Sequence, residues 1–272
     1  MRRFQQVDVF SEEPCLGNPV AVVRDADGLD TDAMQRFAAW TNLSETTFLL
    51  APTTPDADYR VRIFAPDREL PFAGHPTLGS CHAWLDGDER DRVVQECGAG
   101  LVELRRIDGR LAFAAPPLVR SGAPDEALVA EVAAALGVQR GEIVAAAWLD
   151  NGPGWVGVQL ASAEAVLAAP VAVPASHGDV GLVGLHPPGA PEAIEVRAFF
   201  GVVGQAQEDP VTGSLNASVA EWLLKRGALE PPYIARQGTA MGRAGRVHGS
   251  RDGDTVWIGG ATTTVFSGTV AF

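Results

Sequence analysis

Residues 73–77 read Ala-Gly-His-Pro-Thr and residues 211–214 read Val-Thr-Gly-Ser, and in each stretch a turn of small residues opens a helical pattern. Trp84-Leu85 begins nine residues after His75, and Trp222-Leu223 begins eight after Ser214. Three further pairs flank these turns in the same order. Gly17-Asn18-Pro19 matches Asn151-Gly152-Pro153, each read as a turn between strands; Arg62-Ile63-Phe64 matches Arg197-Ala198-Phe199; Glu96-Cys97-Gly98 matches Arg236-Gln237-Gly238. The spacing between partners grows slowly, through 134, 135, 139 and 140 residues (17 to 151, 62 to 197, 74 to 213, 98 to 238), as loop insertions would make it. Unrelated matches have no reason to stay collinear, so the sequence predicts two homologous halves. The Pro-rich stretch 115–124 reads as the linker, and the active site is expected in the cleft between the halves.

Around these anchors, β-type runs bounded by Gly, Pro and Asn fall at 4–10, 20–24, 46–50, 60–64, 93–97 and 101–106. Helical periodicity is confined to 32–40, 77–85, 125–136 and 215–225. Many strands with a few interspersed helices give an α+β class rather than a regular βαβ alternation.

The chain has 272 residues, enough for one large domain or two small ones sharing a cleft. Its 34 acidic side chains outnumber 21 basic ones, and the net charge of −13 repels phosphate backbones and anionic lipid. Nucleic acid and membrane are therefore not expected as partners. No apolar run approaches the ~20 residues that a bilayer span requires, and residues 1–10 lack the apolar core of a signal peptide, so a cytoplasmic location is expected. Cys15, Cys81 and Cys97 are odd in number without CxxC spacing, which favours reduced thiols over a disulfide framework or a zinc knuckle. His75, His82, His177, His186 and His248 never fall into HxH or HExxH spacing, so no metal is expected. GxSxG, GxxxxGK[ST] and a strand-to-helix GxGxxG are missing as well; residues 97–100, Cys-Gly-Ala-Gly, read as a hairpin turn.

What remains is acid/base chemistry beside an anion. Glycine lets backbone approach a ligand closely, and the first free N–H groups of a helix attract negative charge. Gly74 and Gly213, with Ser214, are thus candidates to hold a carboxylate and to stabilise charge developing beside it. The alternative is that each glycine only permits tight packing at a helix start. His75, at the first turn itself, is a candidate substrate contact or proton relay; otherwise it is a helix-start side chain satisfied by backbone. Glu45 falls where a helix pattern ends and an apolar strand begins. Lost hydration there disfavours the charged carboxylate and suits general acid/base work, while a solvated strand-edge Glu or a local hydrogen bond to Asn42 is the competing reading. Asp209 before Pro210 has the form of a helix N-cap with proline at the first helical position, and a carboxylate there is also placed to contact a substrate amine or His75.

Taken together, residues 7–10 with Gly17-Asn18-Pro19, NLSETTF at 42–48, ELPFAGHPTLGS at 69–80, NGP at 151–153, EDPVTGS at 208–214 and Gln237-Gly238 resemble the PhzF-like phenazine-biosynthesis isomerases, relatives of the diaminopimelate-epimerase fold. The likeness spans almost the whole chain, and its specificity lies in the combination. It implies two pseudo-symmetric α+β halves, each a barrel-like, mostly antiparallel sheet around a central helix. The halves would be 1–117, with 262–272 returning to it, and 118–261. It also implies a cofactor-independent homodimer. In the phenazine enzyme a glutamate moves a proton between ring carbons of dihydro-hydroxyanthranilate. The matching positions here are Glu45 as the shuttle, His75 and Asp209 as orienting and relay groups, and Ser214 with the Gly74 and Gly213 turns around the substrate carboxylate.

Related epimerases place one cysteine in each half, because two opposed bases are needed to invert a centre. Here Ala73 and Thr212 stand at the equivalent turns, which disfavours a two-thiol racemase and leaves a single shuttling carboxyl. An isomerase or epimerase acting on another small acid, such as an amino acid or a prephenate-like compound, is the alternative within enzymes. A non-catalytic binder of small acids is the alternative outside them.

Overall fold

The structure is a computed structural model that describes residues 1–170, 178–202 and 205–272; His177 lies outside them. Its contacts divide the chain into two compact units, 1–114 with 259–272, and 115–258.

In the first unit, β1 (Arg2–Val9), β2 (Asn18–Val23), α1 (Thr31–Thr41), β3 (Glu45–Leu50), β4 (Tyr59–Phe64), β5 (Glu69–Leu70), α2 (Gly74–Leu85), β6 (Arg92–Cys97), β7 (Gly100–Ile107) and β8 (Arg110–Ala114) follow in order. In the second come β9 (Arg120–Gly122), α3 (Glu126–Leu136), β10 (Ile143–Asp150), β11 (Val156–Leu160), α4 (Ala163–Ala168), β12 (Val180–Leu185), β13 (Ile194–Val202), β14 (Gln205–Asp209), α5 (Gly213–Lys225), β15 (Tyr233–Gln237) and β16 (Gly245–Asp252). The unit boundary at 258/259 falls inside β17 (Thr255–Gly260), and β18 (Thr262–Val270) pairs antiparallel with β1.

Each unit repeats one pairing scheme. β1 pairs antiparallel with β2, β2 runs parallel to β3, β3 antiparallel to β4, β4 parallel to β6, and β6 antiparallel to β7. The second unit follows with β10–β11 antiparallel, β11–β12 parallel, β12–β13 antiparallel, β13–β15 parallel and β15–β16 antiparallel. Short β5 and the longer β14 form hairpins with β4 and β13 at equivalent places.

Within the first unit, the sheet wraps α2, which touches β1, β2, β3, β4, β6, β8 and β18. Such a helix must be apolar or small on every side. Every residue of α2 except His82 and Trp84 is buried, and Gly79 sits so close to β2 that a Cβ there would lie 2.3 Å from a Val20 methyl. α5 is its counterpart, buried from Gly213 to Ala220 and packed on β10 and β16. α1 covers the outer face of the first sheet, sealing Met34 and Ala38 over Val23, Phe48 and Phe64. Asp30 caps it by accepting from the Ala33 N–H at 2.7 Å, worth about 1 kcal/mol. In the second unit, α3 and α4 close a core around Trp148, Val158, Leu182 and Phe199.

Two local readings are corrected. Asn18 and Pro19 already belong to β2, so the bend between β1 and β2 ends at Gly17, whose N–H donates to the buried Asp8 carboxylate at 3.0 Å. Asp209 does not cap a helix. α5 starts at Gly213 with Thr212 as its N-cap, because Asp209 is the last residue of β14, held in register with Ala198.

Candidate active site

In the first unit, α1 stops at Asn42, whose left-handed conformation (φ 54°, ψ 34°) turns the chain while its N–H returns to the Ala38 carbonyl. Three residues later Glu45 opens β3, in register with Val20 of the parallel β2. That pairing buries Glu45 to 8% exposure and carries its Oε2 to 3.4 Å from His75 Nε2. The geometry excludes a solvated strand-edge glutamate. His75 is the second residue of α2, 3% exposed, with Nδ1 3.3 Å from the side-chain amide of Asn18. Burial pulls the imidazole down to about 3 despite a bond to the Pro19 carbonyl, so the ring is neutral at physiological pH. Asn18 thus joins the pair from β2, although its part as a site residue was not foreseen; its signal was its place in the Gly-Asn-Pro motif.

The second unit builds its counterpart around Gln237, a fully buried side chain. Gln237 Nε2 donates to the Asp209 carbonyl (3.1 Å) and to Thr212 Oγ1 (2.9 Å), while its Oε1 accepts from the Thr212 N–H (3.0 Å) and from Asn216 Nδ2 (2.8 Å). The Thr212 hydroxyl in turn donates to Asp209 Oδ2 at 2.6 Å, a short bond that fixes the side chain. Spending its hydroxyl this way, Thr212 caps α5 without a side-chain bond; Ala73 likewise caps α2 without one. Both helix starts therefore keep first-turn N–H groups that no cap side chain takes. Ser214 occupies the position of His75. Asn151 Nδ2 donates to its carbonyl (2.9 Å) and Trp155 Nε1 to its hydroxyl (3.1 Å). Gln237, Thr212 and Asn151 fell in matched segments and Trp155 two residues beyond one, yet nothing local marks a side chain whose partner is up to 63 residues away.

Two of the three thiols are disfavoured as thiolates. Burial in α2 pushes Cys81 up to about 12, and burial raises Cys97 as well. Among the described residues, no three His, Cys, Asp or Glu side chains gather into a set that could hold a metal ion, and no helix is long and apolar enough to cross a membrane.

A family model for phenazine biosynthesis-like proteins matches residues 7–268. The chain belongs to the phenazine biosynthesis-like (PhzC-PhzF) family. The fold read from the sequence, α+β with similar halves of the epimerase-like type, is the one present. The trans-2,3-dihydro-3-hydroxyanthranilate isomerase of Pseudomonas aeruginosa is 36% identical over 269 residues, covering 93% of this chain and 91% of that protein. A Schizosaccharomyces pombe protein named antisense-enhancing sequence 1 is 35% identical over 291 residues, covering 97% of each. Among solved structures, a PhzF-family protein from Enterococcus faecalis superposes with a TM-score of 0.81 at 24% identity, covering 100% of this chain and 99% of the other. The enzyme class expected from the sequence, isomerase, is that of named members of the PhzC-PhzF family.

Proposed function

We propose that this protein is a cofactor-independent isomerase in which Glu45 takes a proton from one carbon of a small, cyclic, carboxylated substrate and returns it to another. The observation that carries this reading is the buried approach of Glu45 Oε2 to His75 Nε2 at 3.4 Å. The step balances without a co-reactant. The proton of a C–H bond passes to the Glu45 carboxylate while the electron pair moves into the conjugated ring, and the resulting carboxylic acid delivers the same proton to a second carbon.

A neutral imidazole suits this shuttle. Beside the carboxyl group it carries no positive charge that would hold a proton off Glu45, and its Nε2 stands 3.4 Å from the carboxyl oxygen. In the second unit Asp209, fixed by Thr212, is the candidate for the polar substituents of the substrate and Ser214 with the Gly213 turn for its carboxylate; in the first unit the Gly74 turn is the candidate anion contact. The likeness to the Pseudomonas enzyme makes trans-2,3-dihydro-3-hydroxyanthranilate the first substrate to try. The same reading takes the working form to be a cytoplasmic homodimer.

Turnover of that compound, followed by absorbance, tests the assignment. Glu45→Gln is expected to slow turnover by about 10²–10⁴-fold, the usual contribution of a positioned acid/base. Equal rates for the two proteins would remove Glu45 from the chemistry. A second reading, isomerisation or epimerisation of a different small acid by the same carboxyl, is favoured by the S. pombe relative, which is as similar yet carries an unrelated name. Turnover of another acid in a substrate panel, again lost in Glu45→Gln, would select it.

A further inference from the structure

The two repeat-related positions, His75 and Ser214, are gripped in parallel and equipped differently. In the first unit, Asn18 reaches the ring of His75, beside a carboxyl group. In the second, the loop between β10 and β11 holds Ser214 twice, by Asn151 on its carbonyl and by Trp155 on its hydroxyl oxygen. Trp155 is completely buried, its indole tilted against Phe200 with the ring centroids 5.0 Å apart, so the N–H has a fixed direction.

An indole N–H only donates. Ser214 Oγ is therefore the acceptor in this 3.1 Å bond, and the hydroxyl hydrogen is left to point elsewhere. Among the described residues it has no other partner: the Ser214 carbonyl, not the hydroxyl, receives Asn151 and Ser218. Accepting a hydrogen bond also polarises an O–H and strengthens it as a donor. This donor stands at the start of α5, where Thr212 has turned its own hydroxyl to Asp209. The Ser214 hydroxyl and the first-turn N–H groups of α5 are donors, and Asp209 Oδ2 beside them already accepts from Thr212.

We infer that Trp155 is a positioning residue, which locks Ser214 as a one-way donor to the carboxylate of the substrate. The inference deepens the proposed function and rests on its reading of a carboxylated substrate. It assigns that group to Ser214.

The test is a double-mutant cycle read by calorimetric binding of 3-hydroxyanthranilate, anthranilate and benzoate. Trp155→Phe, which keeps an aromatic ring but loses the N–H, is expected to weaken binding about five-fold, the scale of one net hydrogen bond. Ser214→Ala should weaken it at least as much. The decisive arm is the double variant, expected to bind no worse than Ser214→Ala alone, because the indole acts only through the hydroxyl. A general loosening of the fold would instead persist in the Ser214→Ala background. Should Trp155→Phe fold poorly, benzothienylalanine introduced at position 155 preserves the shape and removes only the donor. Binding unchanged by loss of the donor, or losses that multiply in the double variant, overturn the inference and leave the Glu45 turnover test untouched. Failure of the wild type to bind any of the three acids overturns both the inference and the carboxylated-substrate reading.

Discussion

His75 is a histidine that the fold keeps uncharged. Burial lowers its folded value to about 3, well below the ordinary 6.5, so between those values the unfolded chain binds a proton that the native site refuses. Stability from this group is fully present above pH 6.5 and is lost as pH falls toward 3. At pH 4.5 the loss is roughly 2–3 kcal/mol. Denaturant unfolding of wild type and His75→Asn across this window should show the wild type losing that much more stability than the variant; parallel curves would mean the ring is not buried neutral. The place of Glu45 was legible in the sequence because its two neighbours announce themselves, an Asn that ends a helix and an apolar run that starts a strand, whereas the role given to it came from the resemblance. Asn18, Thr212 and Gln237 were not, since their roles come from contacts that only strand pairing creates.

The elements show why some matched residues recur. Arg62 of β4 binds Glu69 of β5 and lies over Phe64, 5.1 Å from its ring centre; Arg197 of β13 binds Glu208 of β14 and lies over Phe199 at 4.9 Å. The two pairs differ in wetness. Arg197 and Glu208 side chains are 8% and 15% exposed against 18% and 40% for Arg62 and Glu69, and Arg197 also donates to the Val166 and Ala169 carbonyls at the end of α4. Arg197→Met should therefore cost about 3 kcal/mol of unfolding free energy, by stranding a mostly buried carboxylate and two carbonyls. Arg62→Met should cost about 1 kcal/mol or less. Similar losses in urea titrations of the two variants would contradict this. Gly98 and Gly238 were the shared residues of their segments for a steric reason: a Cβ would lie 2.8 Å from Pro71 Cα at one and 2.6 Å from the Pro210 carbonyl at the other. The residues two before them differ in what they bind: the Glu96 carboxylate accepts from the Thr53 N–H at 2.6 Å, whereas Arg236 pairs with Glu195. The periodic starts at 77 and 215 fell short of the true starts of α2 and α5, since a helix opening buried on all sides has no polar face to reveal it.

At the scale of the molecule, the repeat was legible because each half keeps its turns in order, and the pairing scheme explains their order. The parallel pairs β2–β3 and β11–β12 were not legible, because a parallel register is set by residues far apart in sequence. The chain's last strand belongs to the first unit, where β18 covers one edge of β1 along its whole length. Deleting residues 262–272 should remove hydrogen-exchange protection from the amides of Arg2–Val9 that bond to β18 while those that bond to β2 keep theirs, and unchanged protection on the β18 side would show that β1 does not depend on this pairing.

The central claim is that one buried carboxyl moves the proton, and solvent deuterium reports on it directly. Substrate incubated in heavy water with wild-type protein should gain deuterium at the carbon that receives the proton, to the extent that Glu45 exchanges with solvent, and Glu45→Gln should form product and label at least about 10²-fold more slowly. A Glu45→Gln protein that forms labelled product at the wild-type rate would contradict the account.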